Sequence, residues 1–156
     1  MKKFLLSLVG LGLAVLVVLL VFAFWPTHTR SLQVTPDAGQ AALIEKGRYL
    51  ADAGDCTACH TAQGGQPFAG GLPIASPIGT LYSSNITPDK ATGIGGYSLE
   101  DFDRAVRHGI AANGGSLYPA MPYPAYAKVN DDDLQALYAY FMHGVAPVNA
   151  QNRANA

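Results

Sequence analysis

The chain has 156 residues, 49% of them hydrophobic, and a formal net charge of −1. That length suits one modest domain plus an attachment segment. Between Asp37 and Pro147 six basic residues stand against eleven acidic ones, a regional charge of −5, which excludes nucleic acid as a partner and a broad lysine-rich docking face.

The chain opens with an apolar run from Phe4 to Trp25, 22 residues interrupted only by Ser7, Gly10 and Gly12. At ~1.5 Å per residue it matches the ~30 Å hydrocarbon core of a bilayer. Lys2 and Lys3 precede it and place the N-terminus in the cytoplasm. A cleaved signal peptide would have a shorter apolar region, ~7–15 residues, ending in small residues; Phe24-Trp25 does not fit that. The expectation is a single-pass transmembrane anchor over residues 1–25 in a bacterial inner membrane, with the remainder in the periplasm. Residues 26–36 read as a polar tether, in which His28 is a solvated linker residue.

Ala38 to Ala53 reads as a helix with Asp37 as N-cap. Gly47 offers it a flat spot for close helix packing. It leads directly into Cys56-Thr57-Ala58-Cys59-His60, which holds both cysteines of the chain. C-x-x-C-H is the attachment pattern for c-type haem. Two cysteines three apart on a helical turn can each form a thioether to one porphyrin, and the next histidine comes up under the iron. Zinc would need a second Cys/His pair at ligand spacing, and no cysteine remains. A thioredoxin-like dithiol would need a strand–helix setting; the surroundings are rich in glycine and proline.

Thr61 to Tyr97 shows no lasting period. A structureless stretch of that length needs a job, and wrapping a flat cofactor is one, since backbone approaches closely only where side chains are absent. Residues 79–85 offer donors for haem propionates. Ser98 to Gly109 is a second helix with a capping-box start at Ser98 and Asp101; His108 near its end reads as an ordinary surface residue. The following loop carries Tyr118-Pro119-Ala120-Met121-Pro122-Tyr123. Prolines fix φ and stiffen the segment, which suits holding one thioether in place, so Met121 reads as the second axial ligand. Asp131 to His143 is the closing helix, capped by Asn130 and stopped at Gly144. The tail, residues 149–156, reads as disordered.

The likeness goes beyond this layout. Gly47-Arg48-Tyr49-Leu50, Ser84-Asn85-Ile86-Thr87-Pro88-Asp89, Thr92-Gly93-Ile94-Gly95-Gly96-Tyr97-Ser98 and Leu117-Tyr118-Pro119-Ala120-Met121-Pro122-Tyr123 resemble the membrane-bound cytochrome c subunit of periplasmic alcohol and gluconate dehydrogenases, a class I cytochrome c group. The resemblance covers Glu45 to Val148. It implies an all-α, cytochrome c-like domain over residues 37–148, wrapped around one covalent haem bound by Cys56 and Cys59, with His60 and Met121 on the iron. Those subunits typically carry three haem domains; this chain looks like the first alone.

The chain lacks paired catalytic carboxylates, a Ser/His/Asp set and a phosphate loop. Two axial ligands close both faces of the iron, and a His/Met pair raises its potential. The expected function is electron transfer rather than catalysis: single electrons pass from a periplasmic dehydrogenase to a quinone, another cytochrome or an oxidase. The alternative is a five-coordinate haem peroxidase or gas-sensing module.

Overall fold

The computed structural model describes residues 2–23 and 39–155. The chain divides into two units, residues 1–30 and residues 31–156.

In the first unit a single helix, α1, runs Lys2–Ala23. Leu11, Leu13 and residues 15–21 on it are exposed. The membrane-spanning anchor read from the sequence is not what is found. Among the described residues no helix is long and apolar enough to cross a membrane. The inner-membrane placement inferred from the anchor falls with it. Trp25, the tether and Asp37 lie outside the described residues.

The second unit is helical, with one small addition. Its helices are α2 (Gln40–Ala53), α3 (Cys56–His60), α4 (Leu99–His108), α5 (Tyr123–Tyr126) and α6 (Asp131–Ala139), the last continuing as a π-helical turn over Tyr140–Gly144. The addition is an antiparallel hairpin, β1 (Pro73–Ser76) and β2 (Gly79–Tyr82), with Ile74 opposite Leu81. Nothing in the sequence alternates long enough to announce it. Pro73 sits at the first strand position and Pro77 in the turn, the places where a two-stranded ribbon tolerates proline.

The helix ends follow from local chemistry. Ser98 Oγ accepts from Asp101 N, and Asp101 Oδ2 accepts from Ser98 N, a reciprocal capping box that satisfies two donors the helix itself leaves unpaired. Gly109 ends α4 in the left-handed region at φ 66°. Asn130 Oδ1 accepts from Asp133 N at 2.9 Å, and Asp131, Asp132 and Asp133 fill the first turn of α6, where the helix dipole favours negative charge. α2 differs from expectation: it starts behind Gly39 without a side-chain cap.

Helices α2 and α6 cross with their backbones nearly touching. A Cβ added at Gly47 would lie 1.9 Å from Ala136 O and 2.7 Å from Tyr140 Cβ, so only glycine fits this crossing. Around it Ala51, Phe68, Ile94, Phe102, Leu134, Leu137 and Phe141 form the buried core. Phe68 meets Phe141 edge to face, ring centroids 5.3 Å apart, a favoured aromatic geometry. Arg107, nearly buried, ties α4 to the start of α6: it pairs with the buried Asp103 and donates to Asp131 Oδ1 at 2.8 Å and to Val129 O at 3.1 Å.

The tail, expected to be disordered, instead runs back over the loop after β2. Asn152 Oδ1 accepts from Asn85 N at 2.7 Å, and Asn155 Oδ1 accepts from Tyr82 N at 3.1 Å. The Arg153 guanidinium lies 3.9 Å from the Tyr82 ring centroid, within cation–π range.

Candidate functional site

The C-x-x-C-H segment is a helical turn of its own. α2 stops at Gly54, and Asp55 turns the chain at φ 57°, a conformation aspartate tolerates better than most residues. α3 then presents Cys56 and Cys59 three residues apart, hence on one face. Both cysteines are free thiols, Cys56 half-buried and Cys59 exposed. Burial pushes the Cys56 thiol up to about 11, so it is protonated at neutral pH.

His60 closes the turn. Its Nδ1 lies 2.8 Å from Ser84 O. A carbonyl oxygen can only accept, so Nδ1 carries the proton and Nε2 keeps its lone pair. Burial holds the imidazole below its ordinary pKa, and the Ser84 carbonyl opposes that only in part. A neutral imidazole oriented by a carbonyl on one nitrogen is the usual state of a metal-ligating histidine. This donor set therefore fits an iron ligand: two thiols on one helical face, and one free imidazole nitrogen beside them.

The main chain around His60 is fixed as well. Gly70 N donates to His60 O at 2.7 Å. Gly70 is glycine for a spatial reason: at φ +72° its Cβ would sit 2.4 Å from Ser84 C and 2.6 Å from Asn85 N. Phe68 holds φ 62°, costly for a bulky residue. It is kept there by Thr61 Oγ1, which accepts from Phe68 N at 3.1 Å, and by its buried ring.

Met121 lies half-buried in the loop between α4 and α5. Pro122 is the N-cap of α5, and Tyr123 N donates to Met121 O at 2.8 Å. Two tyrosines anchor this segment. The Tyr123 ring packs on Gly109, where an added Cβ would come within 2.7 Å of it. Tyr126 Oη donates to Gly54 O at 2.8 Å, and Gly54 also lies beside the Cys56 sulfur. The chain just after Met121 is thus tied to the chain just before Cys56. Tyr126 drew no attention in the sequence; it falls five residues from a proline-fenced methionine, the one signal that could have marked it.

Of the donors expected over residues 79–85, the Asn85 amide is taken up inside the protein. Ser83 Oγ accepts from Leu72 N, and the buried Asn85 side chain bonds Thr87, Thr92 and the main chain of the tail. His108 and His143 are exposed at helix ends. Among the described residues no three or more His, Cys, Asp or Glu side chains gather as a metal site of their own.

A family model for cytochrome c matches residues 44–144. The cytochrome c subunit of gluconate 2-dehydrogenase from Pantoea cypripedii is 68% identical over 117 residues, 75% of this chain and 26% of that protein. The cytochrome c subunit of the quinone alcohol dehydrogenase of Gluconobacter oxydans (strain 621H) is 54% identical over 145 residues, 93% of this chain and 29% of the relative. The fructose dehydrogenase cytochrome subunit of Gluconobacter japonicus is 55% identical, across 74% of this chain and 24% of the relative. The chain spans roughly a quarter of the length of each.

Proposed function

The chain belongs to the cytochrome c family, and from that premise we propose that it is an electron-transfer module of a dehydrogenase complex, in which Cys56 and Cys59 would hold one haem covalently and His60 and Met121 would hold its iron. When bound, the haem supplies a one-electron redox couple, the chemistry the protein itself lacks. The chain's own residues supply position. His60 presents Nε2 because Ser84 O holds Nδ1–H. Met121 presents a thioether from a loop stiffened by Pro119 and Pro122 and tied down through Tyr126. With His60 and Met121 both holding the iron, no coordination position would remain for oxygen, peroxide or an organic substrate. The module then takes single electrons from the dehydrogenase and passes them to a quinone, another cytochrome or an oxidase.

The observation that carries this reading is the His60–Ser84 bond at the end of the C-x-x-C-H turn: it orients a neutral imidazole beside the two thiols. Two experiments test it. After expression with haem maturation, the denatured chain on a gel is expected to stain for haem, and substituting both cysteines by serine is expected to abolish the stain. The reduced protein is then mixed with carbon monoxide. Little or slow binding is expected; rapid stoichiometric binding would mean an open coordination position and a peroxidase or gas-sensing role.

A further inference from the structure

The carbonyl of Ser84 and the N–H of Asn85 belong to one peptide unit. That unit is planar, and in the trans form its C=O and N–H point in opposite directions. On one side the Ser84 oxygen accepts from His60 Nδ1 at 2.8 Å; on the other the Asn85 N–H donates to Asn152 Oδ1 at 2.7 Å. Gly70 packs against the same unit so closely that it has no room for a Cβ. The peptide is therefore gripped at both ends and braced by Gly70.

We propose that residues 148–155 form a strap, and that Asn152 acts through the Ser84–Asn85 peptide as a positioning residue for His60. The proposal rests on His60 being the iron ligand. Asn152 reaches the loop twice, its Nδ2 also donating to Thr92 O at 2.9 Å. The strap backbone is fastened from beneath: Asn85 Nδ2 donates to Val148 O at 2.8 Å, Ala150 N donates to Thr92 Oγ1 at 3.0 Å, and Val148 N donates to Thr87 Oγ1 at 3.1 Å. Asn85 and Thr87 are among the most completely buried side chains of the chain, so this network is sheltered from competing water.

The physical consequence is a relay. A bond accepted from the peptide N–H makes its carbonyl oxygen a stronger acceptor. The Ser84 oxygen then pulls harder on the Nδ1 proton and makes the imidazole more electron-rich. An electron-rich ligand favours the oxidised metal. Asn152 thus biases the iron toward the ferric state and slows the loss of the Nδ1 proton to solvent.

The test uses the full, haem-loaded chain. Asn152→Ala removes both strap bonds at an exposed position. It is expected to speed solvent exchange of the His60 Nδ1 proton, read by NMR on the reduced protein, on the order of tenfold. It is also expected to move the reduced-to-oxidised ratio at a fixed solution potential toward reduced by roughly twofold to fivefold, since cooperative strengthening is a fraction of one bond. Asn152→Asp keeps the acceptor oxygen and is expected to restore slow exchange. Asn155→Ala loosens the same strap without touching this peptide and is expected to change neither readout. A haem-loaded chain that ignores Asn152→Ala, or responds equally to Asn155→Ala, overturns the proposal alone. A wild-type chain without covalent haem overturns the ligand reading and the proposal together.

Discussion

Replacing Gly47 by alanine sets two effects of opposite sign against each other. Alanine is the better helix former by ~1 kcal/mol, so in an isolated helix α2 would gain. In the folded domain the new methyl meets Ala136 O at 1.9 Å, about 1.5 Å inside ordinary contact, and the obstacle on that side is main chain. No rotamer change relieves it; α2 and α6 must move apart, opening the region around the fully buried Ala51 and Leu134. Overpacking of this kind costs ~1–3 kcal/mol, and a clash against backbone falls at the upper end. The net expectation is a loss of about 2 kcal/mol, which at ~4 °C per kcal/mol for a domain of this size lowers the Tm by about 8 °C. Far-ultraviolet circular dichroism of the haem-loaded chain during heating measures it. An unchanged or raised Tm would refute the close crossing.

Two further changes test other parts of the scaffold. Arg107→Leu leaves the buried Asp103 carboxylate without its pair and is expected to cost ~3–5 kcal/mol in denaturant unfolding, most of which the double change with Asp103→Leu recovers. Ser98→Ala breaks the capping box and is expected to cost ~1 kcal/mol at neutral pH. The Ser98 hydroxyl is the main reason the Asp101 carboxyl is held below its ordinary range. The cap's contribution is therefore present above the unfolded value of about 3.9 and fades as pH falls through the lower folded value. The stability gap between wild type and Ser98→Ala is expected to narrow in acid; a gap that widens contradicts the assignment.

What could be read from the sequence was whatever short-range chemistry decides. Ser98 with Asp101, Asn130 with Asp133, and Gly47 at the crossing each depend on a few residues of one helix or on the absence of a side chain, and each stands where the pattern put it. What could not be read depended on contacts across the chain. Asn85 looked like a donor toward the cofactor, but three of its partners, Val148, Ala150 and Asn152, stand more than sixty residues away. The tail looked disordered because its short polar residues carry no period; their hydrogen bonds to the loop order it. Tyr126 and Phe68 gave no signal because a tyrosine hydroxyl on a distant carbonyl and a left-handed phenylalanine leave no local pattern. The apolar run at the start misled in the other direction: hydropathy alone suggested a membrane span that the described helix does not provide.

The central claim is that His60 and Met121 hold the iron of a covalently bound haem. Its most direct test is the one-dimensional proton NMR spectrum of the reduced, haem-loaded chain. A methionine methyl on the iron sits over the porphyrin ring, whose ring current moves it far upfield. The account expects one three-proton resonance well upfield of all other methyls, lost in Met121→Leu and retained in Met142→Leu. Its absence from the wild-type spectrum, or its survival in Met121→Leu, would contradict the account.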